Sequence, residues 1–299
     1  MSERVWTTLE ILNTAQRYLQ EKGIENPRGN AEQLLGKALG VPRIELYLQH
    51  DRPLRESEVT AFRDLLRRRA KHEPLQLILG AVEFCGLKLS VLPGLLIPRP
   101  ETEELAETII QSLPHDRPLR ALDIGTGTGC LAVALAAHLP HLNVDAVDLD
   151  FDAVRCTQQN AERHHLNDRV RAFTADLFAP RFLQLVRPPY DLVVSNPPYV
   201  TAAEHETLAP EVAHFESHKA LVGGADGLAF YRRIAELLPT LLKSLGLLAV
   251  EIGYAQSAAV TSIFSETLDA LVCHNDMSNV PRIITGTLKA EAASKLPVT

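Results

Sequence analysis

Apolar residues change their period twice along this chain. In the leader they recur at three- and four-residue intervals. Leu9, Leu12, Ala15 and Leu19 share one side of a helix that Gly23 can close. Pro27, the Gly40-Val41-Pro42 turn and Pro53 divide the rest of the leader into further short helices, for example over 30–39 and 56–71. No alternating β-branched run interrupts them, so residues 1–73 are expected to form an all-α domain. Beyond Pro74 the pattern shortens. Segments 76–79 and 84–91, separated by Gly80 and broken by Gly86, read as strands of a β-hairpin inside a linker over 74–98. From residue 119 onward, apolar runs of strand length alternate with helical stretches. Strands are expected at 119–124, 143–148, 170–174, 190–195, 246–252, 269–274 and 281–287, with helices near 129–138, 151–165, 226–243 and 256–266. That alternation predicts a doubly wound α/β domain over 99–299, a mainly parallel seven-stranded sheet with helices on both faces.

The chemistry gathers at the ends of the predicted strands. The run 190–195 stops at Asn196-Pro197-Pro198-Tyr199, because two prolines cannot donate ladder hydrogen bonds. This makes a stiff turn at the carboxyl end of a central strand, where open α/β sheets hold their ligands. The Asn196 side chain and a proline carbonyl offer two fixed acceptors, and Tyr199 adds a flat wall. Such a turn suits a planar NH2 group. After the first strand, Asp123-Ile124-Gly125-Thr126-Gly127-Thr128-Gly129 opens a helix. Its glycines allow close backbone approach, and its N–H groups point into the crevice. The spacing differs from that of dinucleotide-binding turns, and an acid ahead of the glycines fits a cationic ligand better than a pyrophosphate. Asp148 ends the second strand, where an acid holds ribose hydroxyls. Asp150 and Asp152 read as caps of the next helix. Asp176 follows the third strand and reads either as a receiver of an adenine amino group, with Leu177 and Phe178 against the ring, or as a plain turn residue. Arg99 and the acids Glu101 to Glu104 either cap a helix or wall the cofactor pocket.

Composition narrows the class. Hydrophobic residues make up 46% and charged ones 22%, as in ordinary soluble globular chains. The net charge of -7 supplies no global basic field for nucleic acid. Residues 1–80 carry 13 Lys and Arg against 11 Asp and Glu, whereas the remainder carries 17 against 26, so the leader is the half suited to an acidic partner. Its cluster Arg67-Arg68-Arg69-Lys71 reads either as a solvated helix end or as a contact for an acidic surface. Cys85, Cys130, Cys156 and Cys273 are scattered, which argues for a reducing compartment and against a disulfide framework or zinc site. The apolar runs are too short to cross a bilayer, and the start has no signal region, so a cytoplasmic protein without membrane contact is expected. The stretch 200–224 is long and weakly periodic. It is expected to shape a substrate entrance, with Glu211, Phe215 and Glu216 as candidates.

Together these residues resemble the class I S-adenosylmethionine-dependent methyltransferases. Asp123 to Gly129 match the first motif of that class, Asp148 its ribose acid, and Asn196-Pro197-Pro198-Tyr199 the motif of enzymes that methylate amide or amine nitrogens. More narrowly, the chain is similar to the bacterial release-factor glutamine methyltransferases. Pro74-Leu75-Gln76, the stretch Leu96-Ile97-Pro98-Arg99-Pro100-Glu101-Thr102-Glu103, Phe215-Glu216, Gly223-Gly224, Glu251-Ile252-Gly253 with Gln256, Asp276 and Arg282 carry this closer likeness. Leu177 stands where some members carry an aromatic ring. The resemblance implies a Rossmann-like methyltransferase sheet, S-adenosylmethionine as cofactor, no metal, and the glutamine of the Gly-Gly-Gln loop of class 1 release factors as substrate. It also implies a helical leader that recognises the substrate, no direct nucleic-acid binding, and a monomer. The alternatives are a glutamine of a ribosomal protein, or an amino group of adenine or cytosine, since an exocyclic amine is also a planar NH2. The acidic catalytic half speaks against a nucleic acid.

Overall fold

The computed structural model describes residues 5–290, and the chain divides into two compact units, one up to Ala81 and one from Val82 onward. The first unit holds α1 (Thr8–Glu21), α2 (Pro27–Leu39), α3 (Arg43–Leu48), α4 (Glu56–Arg69) and α5 (Leu75–Leu79). A capping box opens α1: Thr7 Oγ1 accepts from the Glu10 N–H, and the Glu10 carboxylate accepts from the Thr7 N–H. Pro27 starts α2, and Gly40 closes it in the left-handed conformation. Leu12, Leu19, Leu34, Leu35 and Phe62 are fully buried between these helices. Glu32 is buried with them and is bound by Arg28, Arg43 and the Tyr47 hydroxyl, so its charge is compensated on every side. The basic cluster is largely spent within the unit. Arg69 is buried and donates to Asn30 Oδ1, Arg68 pairs with Glu73, and Arg67 with Asp64.

The hairpin differs from its expected position. Residues 75–79 form α5, because Pro74 sits at its N-cap and Gly80 closes it at φ 76°. The strands are β1 (Ala81–Phe84) and β2 (Leu87–Ser90), joined by Cys85 and Gly86, both at positive φ. Two such residues are what a tight two-residue hairpin turn requires. After the hairpin come α6 (Pro100–Ser112), β3 (Leu119–Ile124), α7 (Cys130–His138), β4 (Leu142–Asp148), α8 (Phe151–Arg163), β5 (Val170–Thr174), α9 (Phe182–Leu185) and β6 (Tyr190–Ser195). The segment expected to be a loop contains three short helices, α10 (Ala202–His205), α11 (Pro210–Phe215) and α12 (His218–Leu221). Next are α13 (Ala229–Leu241), β7 (Leu242–Glu251), α14 (Ser257–Phe264), β8 (Leu268–Asn275) and β9 (Pro281–Leu288).

Within the described residues, seven strands form one sheet in the order β5-β4-β3-β6-β7-β9-β8. The pairs from β5 to β7 are parallel, and β9 runs antiparallel to both its neighbours. Side chains alternate between two cores. Ala121, Leu192 and Val194 meet α7 on one face, whereas Leu122, Val193 and Leu248 meet Tyr231 and Phe264 on the other. Each fully buried Leu or Val contributes about 1.5–3 kcal/mol. β3 and β6 are adjacent although β4 and β5 lie between them in sequence, so the winding direction reverses there. Asp145, midway along β4, and Asp191, near the start of β6, are held by Arg120, Arg171, Lys243 and the Tyr190 hydroxyl. No helix among the described residues is long and apolar enough to cross a membrane.

Candidate active site

The carboxyl ends of β3, β4, β5 and β6 open into a cavity of about 390 Å³. The turn after β3 forms its floor through Gly125, Thr126, Gly127 and Thr128. Gly129 completes that turn at φ 79° as the N-cap of α7, and a Cβ on it would lie 2.7 Å from the Thr157 side chain. Only glycine lets α8 pack so near. Asp123 lies beneath the turn, fully buried and off the cavity lining. Its Oδ2 accepts from the Thr126 hydroxyl at 2.7 Å, while its Oδ1 has no hydrogen-bond partner. Burial pushes this carboxyl up to about 7, with Asp148 adding like-charge repulsion. A buried acid with an unused oxygen under a ligand cavity fits a cationic group above it.

Asp148, Asp176 and Leu177, at or just after the ends of β4 and β5, line the cavity. Asp148 accepts from the Gly127 and Asp150 N–H groups, each at 2.9 Å, and burial raises its carboxyl above the usual range. It therefore braces the glycine turn as well as facing the cavity. Asp176 accepts from the Phe178 N–H, and Phe178 meets Phe230 edge-on with ring centroids 5.2 Å apart. Leu149 and Phe151 line the same side at 59% and 70% exposure, an apolar rim that a flat ring would cover. Leu149, Phe151 and Phe230 escaped the sequence reading. Leu149 follows Asp148 directly and Phe151 stands three positions on, which was the available signal.

Asn196, Pro197 and Pro198 form the wall at the end of β6. Tyr199 departs from expectation. It is off the lining, and its hydroxyl donates to Glu251 Oε1 at 3.2 Å instead of leaving the ring over the cavity. Burial raises this phenol well above its ordinary value, so it stays a donor. The Tyr199 carbonyl accepts from Gln256 Nε2 at 3.0 Å, which ties the turn to the segment after β7. Asn196 Nδ2 donates to Thr102 Oγ1 at 2.9 Å, and the Thr102 hydroxyl donates to Glu251 Oε2 at 2.6 Å. Thr102 lines the cavity, yet its stretch was read as capping acids or a pocket wall. Glu251 enters the sequence reading only within the Glu251-Ile252-Gly253 likeness, with no role assigned to it.

Arg99 is another correction. It is absent from the lining because its guanidinium pairs with Glu216 at 2.5 Å. That pair lies beside a backbone clamp. The Gly94 N–H donates to the Phe215 carbonyl, and the Ser217 N–H donates to the Gly94 carbonyl, each at 3.1 Å. The clamp carries Ser217, Lys219 and Ala220 to the cavity mouth, whereas Glu211, Phe215 and Glu216 stay off it.

Comparisons with known proteins bear on the fold and the family. The PrmC N-terminal domain family matches residues 10–80, and the methyltransferase small domain family matches residues 101–225. A release factor glutamine methyltransferase from Geobacter sulfurreducens is 44% identical over 286 residues, covering 95% of this chain and 98% of its own. One from Chlorobaculum tepidum is 38% identical over 286 residues, covering 94% and 97%. The crystal structure of a methyltransferase from Pyrococcus furiosus has the same fold, with a TM-score of 0.50 at 17% identity over 68% of this chain and 90% of that one. With both parts of its length matched at such identity, this chain belongs to the release factor glutamine methyltransferase family.

Proposed function

We propose that this protein transfers a methyl group from S-adenosylmethionine to the side-chain amide nitrogen of the glutamine in the Gly-Gly-Gln motif of class 1 peptide chain release factors. The observation that carries the reading is the proline turn at the cavity wall. Asn196 has its amide nitrogen engaged by Thr102, which leaves Oδ1 to accept, and Pro197 lines the same wall. Two acceptors on one stiff turn match the two hydrogens of a primary amide.

The cofactor supplies a methyl group on a positively charged sulfur. Asp148 would hold its ribose hydroxyls, and Gly125 to Gly129 its main chain. Asp176 with Leu177 would take the adenine edge, and buried Asp123 favours the cationic end. An amide nitrogen is a weak nucleophile because its lone pair is delocalised. Asn196 and Pro197 therefore act by orientation, holding both N–H groups so that the nitrogen faces the methyl. As the new N–C bond forms, the S–C bond would break with its electron pair staying on sulfur, so neutral S-adenosylhomocysteine leaves; the methylated nitrogen is strongly acidic and its surplus proton leaves to water. The chemistry needs no metal and no dedicated base.

The helical unit, residues 1–73, would recognise the release factor, with 74–98 as linker and 99–299 as the catalytic domain. The protein works as a cytoplasmic monomer without binding nucleic acid. Purified release factor incubated with the protein and S-adenosylmethionine should gain one methyl on the Gly-Gly-Gln glutamine, read by peptide mass spectrometry. The Asn196→Ala variant should keep its fold and lose most of this turnover. Methylation of RNA, DNA or a ribosomal protein in its place would overturn the substrate.

A further inference from the structure

Asn196 is the visible end of a chain of side chains. Its Nδ2 donates to Thr102, Thr102 donates to Glu251, and the other oxygen of Glu251 accepts from Tyr199. Thr102 and Glu251 are 1% and 2% exposed, and 149 positions separate them along the sequence. An ionised carboxylate accepts hydrogen bonds and donates none. The single Thr102 hydroxyl hydrogen is therefore committed to Glu251, and the hydroxyl meets Asn196 only as an acceptor. An Asn196 amide turned the other way would set its oxygen against that acceptor. The Tyr199 hydroxyl, likewise committed to Glu251, keeps the carboxylate from turning toward Asn196.

We infer that Thr102 and Glu251 are positioning residues that fix the polarity of the Asn196 amide, so that the site offers an acceptor to an NH2 group and refuses a carboxylate. The inference rests on the proposed amide-methylating function and supplies its basis for telling glutamine from glutamate. A glutamate side chain could otherwise be mistaken for substrate, because the two side chains have nearly the same shape. A site whose own group can flip would serve both.

The test compares Thr102→Val, Thr102→Ser and Glu251→Gln at pH 8, above the value of about 7 to which burial raises Glu251. For each, the rate of release-factor methylation is measured together with calorimetric binding of the release factor and of its Gly-Gly-Glu version. Thr102→Val should lower kcat about 30-fold while S-adenosylmethionine binding holds, and Thr102→Ser should restore most of the loss. In Thr102→Val and in Glu251→Gln, the preference for Gly-Gly-Gln over Gly-Gly-Glu should shrink about tenfold. A purely structural tie between α6 and β7 would weaken both ligands equally, and an unchanged preference in both variants overturns the inference. Wild-type protein that leaves the release factor unmethylated would instead overturn the proposed function, so the two failures are distinct.

Discussion

Gly223→Ala puts the rigidity of the proline turn to a direct test. Gly223 lies outside the turn in sequence, but its N–H donates to the Val200 carbonyl, and the Val200 N–H donates to the Leu221 carbonyl. A Cβ on Gly223 would overlap the Pro198 carbonyl oxygen and stand 2.9 Å from both the Pro198 carbonyl carbon and the Gly227 oxygen. All three are main-chain atoms, so no side chain can swing aside. Ordinary contact begins at 3.4 Å, and the Pro198 carbonyl must retreat by about 1 Å, a displacement that can cost about 100-fold in rate. That factor corresponds to about 2.7 kcal/mol at the transition state. The overpacking itself costs about 1–3 kcal/mol of stability, which a domain of this size can absorb. The assay is kcat for release-factor methylation at saturating cofactor, beside cofactor Kd by calorimetry and Tm by circular dichroism. The expected variant is folded, binds S-adenosylmethionine within a few-fold of wild type, and turns over about 100-fold more slowly. A folded variant with kcat within about threefold of wild type would show that the turn adapts, and the positional argument would fail.

The cofactor side yields two further expected outcomes. Asp148→Ala should weaken S-adenosylmethionine binding by about 2–3 kcal/mol, since it loses the ribose acceptor and unpairs the Gly127 and Asp150 N–H groups; unchanged calorimetric affinity would refute the assignment. Asp123 and Glu251 both sit near pH 7 through burial, each above its ordinary value. The folded protein therefore binds more protons than the unfolded chain between the usual carboxylate range and about pH 7, and these groups' contribution to stability is full below that window and lost as pH rises through it. A cationic ligand reverses the preference at Asp123, so cofactor binding near pH 7 should release a proton and tighten as pH rises. Calorimetry in two buffers of different ionisation heat reads that proton, and Asp123→Asn should abolish it; equal heats in wild type would refute the charge coupling.

The strands that build the site were legible because β3 and β6 are buried almost throughout. Segments 119–124, 170–174 and 190–195 are apolar at most of their positions and are found with those bounds. β7 was read too short because Leu242 pairs with Tyr190 of β6 ahead of an irregularity, and regular pairing resumes only at Leu247. The hairpin was misplaced because Leu75–Leu79 is equally apolar as strand or helix, and only its flanking proline and glycine decide. The glycine turn and Asn196 could be read locally, since each motif carries its own geometry. Thr102 and Glu251 could not, because their meaning lies in a contact between distant segments. Arg99 and Tyr199 carried suitable chemistry, but buried carboxylates at Glu216 and Glu251 claimed their polar atoms.

The reversal of winding between β3 and β6 has an evolutionary side. Asp123, Asp148 and Asp176 hang from β3, β4 and β5 on one flank, and Asn196 hangs from β6 on the other. Under the proposed assignment the grip on the methyl donor is written largely in one contiguous stretch of chain, and the grip on the acceptor begins where that stretch ends. Such a layout behaves like a handle with exchangeable heads. Segments after β6 can be replaced to accept a different nitrogen while the donor half is inherited unaltered, and chimeras cut at the end of β5 are the natural way to build new specificities on this scaffold.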